Sequence, residues 1–235
     1  YRAMEGDNIM KYYILYVLCF IMYSCDSKTT TESEELKLPN DIRWVTNSSE
    51  YKILCEQIYE NAWNNLSEVL QSADSQSVII MDLDETVLDN SKYQIDLTEK
   101  GESYNPESWS VWVNQKEADL VPGAKKFIDL VRSTNVRIVF LSNRMAKNEL
   151  PTIENMEALD IYEQDDIFML RIDRPDKKHI RRSEVLQGTG RMKEIGAMKV
   201  LAYFGDARHD FPDPDDYYNF GKNMFMFANP MYGKW

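Results

Sequence analysis

The sequence predicts an α/β fold: a Rossmann-like parallel sheet flanked by helices, with a small cap. Three observations predict it. Four short apolar runs, Val78 to Met81, Val136 to Leu141, Ile167 to Leu170 and Val200 to Phe204, are continuous rather than alternating, as strands covered on both faces are. The stretches between them have room for helices, and strand–helix alternation implies a parallel sheet. One polar segment, about 93–120, is too long for a plain loop in a compact domain. It carries Tyr104, Trp109 and Trp112, and a small cap over the end of the sheet is its natural reading.

Taken in order, the chain opens with an address. Met10-Lys11 precedes the apolar run Tyr12 to Tyr23, about half the length of a bilayer-spanning helix. A short charged start, a short apolar stretch and a small residue, Ser24, describe a signal peptide over 1–24. The next residue is Cys25, and the arrangement resembles a bacterial lipoprotein signal, in which that cysteine is lipidated. An ordinary secretory signal or a buried apolar end are the other readings. Asp26 to Glu35 holds no apolar residue, so 25–35 is expected to be a solvated tether and 36–235 the folded domain.

Within that domain, Asn47-Ser48-Ser49-Glu50 reads as a capped helix start. Tyr51, Leu54, Ile58, Ala62, Leu66 and Leu70 then recur at three- and four-residue steps as a buried face, ending near Gln71. Pro122-Gly123 starts a helix that continues through Phe127, Leu130 and Val131. Further helices are expected over about 145–159, with Pro151 near the start or at a kink, and 181–195, weakened by Gly188 and Gly190. Met224 to Ala228 is a candidate last strand.

Bulk properties exclude several classes. A net charge of -12 repels the phosphate backbone of nucleic acid, so a nucleic-acid polymer is not the partner. Of the three cysteines, only Cys55 lies in the body, which excludes a disulfide framework or a cysteine zinc site there. With two histidines there is no histidine-rich metal set. The oligomeric state stays open, a homodimer among the options.

The chemistry is sought where parallel strands end. The first run is followed by Asp82-Leu83-Asp84-Glu85-Thr86, the second by Ser142-Asn143-Arg144, the third by Arg171 and then Lys177-Lys178-His179, the fourth by Gly205-Asp206-Ala207-Arg208-His209-Asp210. Several converging carboxylates need a cation, and a hard, oxygen-rich set prefers Mg²⁺. Cation, hydroxyl and lysine can together hold a phosphoryl group. One carboxylate can attack phosphorus while another handles the leaving group's proton.

Asp82-x-Asp84-x-Thr86 after an apolar strand resembles the first motif of the haloacid dehalogenase-like (HAD) superfamily, with Ser142, a lysine near 178 and Asp206…Asp210 as its second to fourth motifs. Ile80 through Asn90 with Tyr93, Leu141-Ser142-Asn143-Arg144, the pair Trp109…Trp112, Gly205-Asp206…Asp210-Phe211 and the ending Asn229-Pro230-Met231-Tyr232-Gly233-Lys234-Trp235 resemble the class C non-specific acid phosphatases. That resemblance implies a HAD-like fold and a Mg²⁺-dependent phosphomonoesterase acting on small phosphate esters, 5′-nucleotides included, anchored outside the cytoplasmic membrane at a bacterial outer membrane or cell surface. It implies Asp82 as nucleophile and metal ligand, and Asp84 as general acid/base and a ligand through its carbonyl. Asp206 and Asp210 complete the metal set, Asp210 through water, while Ser142 and Lys178 hold phosphoryl oxygens. Thr86, Asn143, Arg144, Trp109, Trp112 and Tyr232 are assigned to substrate. Lys177 competes with Lys178; the spacing to Arg181 selects Lys178. Ala207-Arg208-His209 departs from the family's fourth motif. A phosphotransferase and a nucleotide-binding lipoprotein without turnover are the alternatives.

Overall fold

A computed structural model describes residues 37–212 and 217–233; the segments expected to be signal and tether, Cys25 included, lie outside the described residues. The strands β1 (Ser77–Met81), β4 (Arg137–Phe140), β5 (Ile167–Phe168), β6 (Lys199–Gly205) and β7 (Met224–Met226) form one sheet in the order β5-β4-β1-β6-β7. Every pairing in it is parallel. β1 is buried along its whole length, which is why its sequence reads as an unbroken apolar run. Its side chains alternate between two cores: Ile79 and Met81 pack with Phe140 and Phe204 on one face, Val78 and Ile80 with Val139 and Leu141 on the other. The order places β1 at the centre, with the chain running next to β4 on one side and later to β6 on the other. That makes the carboxyl end of β1 the topological switch point, where open parallel sheets bind ligands.

Helix α1 (Asn40–Asn47) was not foreseen; Ile42 and Val45, three apart, are its buried residues. Helix α2 (Ser49–Gln71) starts as expected, with Ser48 Oγ accepting from the Tyr51 N–H at 3.1 Å. Its buried face is Tyr51, Cys55, Tyr59, Ala62, Leu66 and Leu70, so the expected Leu54 is corrected: it is exposed. Tyr59 decides the phase. Its ring packs on Phe127, Phe204 and Phe227, and its hydroxyl donates to the Thr86 carbonyl, bracing the loop after β1.

The polar segment after β1 builds a compact insertion. A two-stranded antiparallel ribbon, β2 (Leu88–Asp89) with β3 (Asp119–Leu120), forms its base, and helices α3 (Ser91–Lys100) and α4 (Pro106–Gln115) lie between. Asn105 caps α4 through the Ser108 N–H, with Pro106 at its first position. Ser110 donates to Asn148 at 2.9 Å, and Asn155 exchanges hydrogen bonds with the Ala118 backbone, which ties the insertion to the region after β4.

Helix α5 (Ala124–Arg132) follows Pro122-Gly123 as expected. The helix expected from 145 begins as a 3₁₀ turn at Ala146–Asn148, and α6 proper is Glu149–Ala158, with Pro151 in its first turn where a missing N–H costs nothing. The helix expected over 181–195 is α7 (Lys178–Gln187). Gly188 stops it in the left-handed region at φ 64°, and a Cβ there would stand 2.4 Å from the Ala197 nitrogen. What was read as a weak helix is thus a helix, a glycine stop and a 3₁₀ turn at Gly190–Met192.

Candidate active site

The ladder hydrogen bonds of the central strands continue into the loops that follow them. The Asp82 N–H donates to the Phe204 carbonyl at 2.9 Å, and the Leu141 N–H to the Met81 carbonyl at 2.9 Å. The residues just beyond β1, β4 and β6 are therefore held side by side. Asp82, Asp206 and Asp210 converge there, with one oxygen from each within 4.8 Å of the others. Lys178, the first residue of α7, brings Nζ to 2.7 Å from Asp82 Oδ1 and also donates to Asp210. Lys177 is exposed at the N-cap, and Lys178 is the one of the two that lies beside Asp82.

Asp210 comes back to the end of β6 through a 3₁₀ turn, Arg208–Asp210, and its Oδ2 accepts from the Ala207 N–H at 2.9 Å. This approach requires Gly205: a Cβ there would lie 2.4 Å from Asp210 Cβ. Asn229, after β7, donates to Asp206 Oδ2 at 2.8 Å.

Three carboxylates against one ammonium leave an excess of buried negative charge, and the acidities register it. Burial pushes the Asp82 carboxyl well above the usual carboxylate range; Lys178 opposes this, and Asp210, Asp206 and Asp84 add to it. Burial, with Asp210 close by, pushes Asp206 up to about 6, against the pull of Asn229 and Lys178. Burial alone would lower the Lys178 pKa, but Asp210 and Asp82 outweigh it and hold the ammonium above its ordinary value. Asp82 Oδ1 makes no aligned hydrogen bond despite the nearby ammonium. A hard cation with oxygen ligands fits this all-carboxylate donor set.

Asp84 stands apart from those three. Its Oδ1 accepts from Arg144 Nε at 2.9 Å and Asn90 Nδ2 at 3.1 Å, and its Oδ2 lies 3.3 Å from Ser142 Oγ. Its side-chain surface is 16% exposed, more open than that of Asp82 or Lys178. The Asp84 carboxylate thus lies outside the three-aspartate cluster, beside Ser142.

The Ser142-Asn143 turn is held from beneath. Arg181, fully buried, donates to the Ser142 carbonyl, to the Met169 carbonyl at 2.9 Å and to Asn143 Oδ1 at 2.7 Å. Asn143 Nδ2 also meets His209 Nε2 at 3.1 Å, and the His209 carbonyl accepts from Arg182. The departure at Ala207-Arg208-His209 therefore places an imidazole against the second motif's turn.

Three residues that the resemblance assigns to substrate are buried in the structure. Arg144 is 1% exposed, with its guanidinium engaged by Asp84, Thr152 and Asn90. Trp112 is 2% exposed and gives its indole N–H to Asn90, inside the insertion's core. Thr86 is fully buried, and its carbonyl accepts from Tyr59. Asn143 is exposed, while Trp109 and Tyr232 are half-buried. Trp109 lies 5.8 Å from the Arg144 guanidinium carbon and next to the exposed ring of Tyr104. Asn90 and Asn229, to which the sequence motifs assign no role, donate to Asp84 and Asp206. In the sequence Asn90 follows Asp89, but Asn229 stands between Ala228 and Pro230 with no acidic neighbour to mark it.

A profile of the HAD superfamily, subfamily IIIB (Acid phosphatase), matches residues 24–235. Among solved structures, the class C acid phosphatase from Bacillus anthracis is similar at 29% identity, with 83% of this chain and 84% of that one covered and a TM-score of 0.70. The same enzyme with tungstate bound is similar at 28% identity, with the same coverage and TM-score. The phosphatase chemistry expected from four strand ends coincides with a family match over nearly the whole chain, and the chain belongs to the acid phosphatases of HAD subfamily IIIB, enzymes that hydrolyse phosphate monoesters.

Proposed function

We propose that this phosphatase uses Mg²⁺ and works through an aspartyl phosphate on Asp82. The observation that carries the proposal is the convergence of Asp82, Asp206 and Asp210 at the switch point, with Lys178 beside Asp82. Mg²⁺ held by these three carboxylates would offset the charge of the phosphoryl oxygens. Asp82 attacks phosphorus: a bond forms from its carboxylate oxygen while the bond to the leaving oxygen breaks. Asp84 gives its proton to that oxygen, then takes one from the water that attacks the aspartyl phosphate. Lys178 and Ser142 hold phosphoryl oxygens, Ser142 by turning its hydroxyl away from Asp84.

For the substrate we favour 5′-nucleotides. Trp109 and the exposed Tyr104 offer aromatic faces near Asp84, which suit a flat base better than an alkyl chain. Residues 10–35 support a lipid anchor at Cys25 that would place the enzyme outside the cytoplasmic membrane.

The decisive experiment is an acid quench during turnover of a labelled phosphate ester. Label should stay on the wild-type protein in a hydroxylamine-sensitive form, and chelator should stop turnover. An Asp82→Asn protein that still turns over would refute the nucleophile. A turnover panel of nucleotides against alkyl esters tests the substrate class, and loss of labelled palmitate incorporation in Cys25→Ser tests the anchor.

A further inference from the structure

We propose that Asn90 is a positioning residue through which the seating of the cap sets the geometry of the proton donor Asp84. The inference rests on the reading of Asp84 as general acid.

Asn90 sits between β2 and α3, at the root of the insertion, and is fully buried. Its amide Nδ2 donates to Asp84 Oδ1 at 3.1 Å, Glu85 Oε1 at 3.2 Å and the Leu88 carbonyl at 3.2 Å. Its Oδ1 accepts from Trp112 Nε1 at 2.9 Å and Arg144 Nη2 at 3.2 Å. Indole and guanidinium can only donate, so Oδ1 must face them and Nδ2 must face the three oxygens. The amide therefore has one orientation, and Trp112, delivered by cap helix α4, is one of the groups that impose it. Arg144 Nε donates to the same Asp84 oxygen at 2.9 Å.

Two N–H donors on Oδ1 leave no room for a proton there. The acid proton is assigned to Oδ2, whose hydrogen-bond partner among the described residues is Ser142 Oγ, at 3.3 Å. When Asp82 attacks phosphorus and the bond to the leaving alcohol breaks, that oxygen takes the Oδ2 proton, and Asp84 remains as the carboxylate its two donors stabilise. Loss of the Trp112 N–H leaves Arg144 Nη2 as the one donor holding Oδ1, so the amide is less firmly set and the Asn90 donor on Asp84 Oδ1 is weakened.

General-acid positioning separates from simple structural damage by its dependence on the leaving group. An alkoxide needs the proton; a nitrophenolate hardly does. The experiment compares kcat/KM for glycerol phosphate and p-nitrophenyl phosphate in wild type, Asp84→Asn, Asn90→Ala and Trp112→Phe, each checked for folding by thermal melting. Asn90→Ala and Trp112→Phe should each lose about tenfold more on the alkyl ester than on the aryl one. Equal losses on both esters, with Asp84→Asn still showing the split, would overturn the role of Asn90 alone. No split in Asp84→Asn would instead remove the general acid beneath it, and the inference with it. If Asn90→Ala does not fold, Trp112→Phe, which keeps an aromatic ring and removes the N–H, decides by itself.

Discussion

Lys178 Nζ stands 2.7 Å from Asp82 Oδ1 and also donates to Asp210, so one buried ammonium bridges two carboxylates that reach the site from different strands. Removing the ammonium leaves those charges unpaired. Breaking a buried pair from one side costs about 3–5 kcal/mol. Lys178→Met should therefore melt at a distinctly lower temperature in chelator. Added Mg²⁺ should recover part of that loss, because it supplies positive charge to the same oxygens. The rate should stay at least about a hundredfold down, since the proposed phosphoryl contact of Lys178 would be lost as well. Melting curves with and without Mg²⁺, beside kcat/KM, check this.

The raised pKa of Asp206 makes the metal-free protein less stable as pH rises. Its folded pKa of about 6 exceeds the ordinary value of 3.8, so the folded state binds a proton that the unfolded chain has already released. The contribution to stability is complete below about pH 4 and is lost as pH climbs through 6. It amounts to at most about 3 kcal/mol, at 1.36 kcal/mol for each unit. In chelator, wild type should lose stability between pH 4 and 7 relative to Asp206→Asn, and Mg²⁺ should protect wild type more at pH 7 than at pH 5. Parallel melting temperatures for the two proteins across that range would refute the assignment.

How much of this was legible in the sequence follows from which contacts are local. Asp82 and Asp206 could be found because each ends a continuous apolar run, and a buried parallel strand both produces such a run and delivers its next residue to the ligand end. Lys178 was separable from Lys177 only by its spacing to Arg181; in space, the first residue of α7 points in and the N-cap does not. The buried face of α2 was misjudged at Leu54 because a three- or four-residue step allows two phases, and Tyr59, whose partner Thr86 is far along the chain, chooses between them. Trp112 and Arg144 are assigned to substrate through the motifs of the resemblance, which say nothing of burial. In space both donate to Asn90, which joins segments that no periodicity connects.

Gly205 is a steric requirement with a functional readout. Its α-hydrogens face the Asp210 side chain, and an added Cβ would come within 2.4 Å of Asp210 Cβ and 2.5 Å of its Oδ2. Asp210 cannot yield without leaving Lys178 or the Ala207 N–H. Gly205→Ala should cost about 1–3 kcal/mol of stability, as overpacking does. It should also weaken Mg²⁺ binding, because the displaced carboxylate belongs to the three-aspartate cluster. Titration of the variant with Mg²⁺, followed by its thermal shift, measures both. Unaltered Mg²⁺ affinity would remove Asp210 from the cation's surroundings.

Arg181 offers the sharpest separation of charge from shape. Burial brings its pKa down to about 10, yet it remains a cation at neutral pH, and its fork reaches the Ser142 carbonyl, the Met169 carbonyl and Asn143 Oδ1 together. A lysine keeps the charge but has a single ammonium on a flexible stem, so it cannot span carbonyls on two strand ends and a side chain at once. Arg181→Lys should leave at least one buried carbonyl unpaired, at about 1–3 kcal/mol. The freed turn carries Ser142 and Asn143, so the phosphoryl contact should loosen while Asp82 and the three-aspartate cluster remain in place. The expected result is a fall in kcat/KM of about tenfold or more, with Mg²⁺ affinity unchanged. A loss of Mg²⁺ affinity equal to the loss of rate would mean that Arg181 supports the whole sheet end rather than the Ser142 turn.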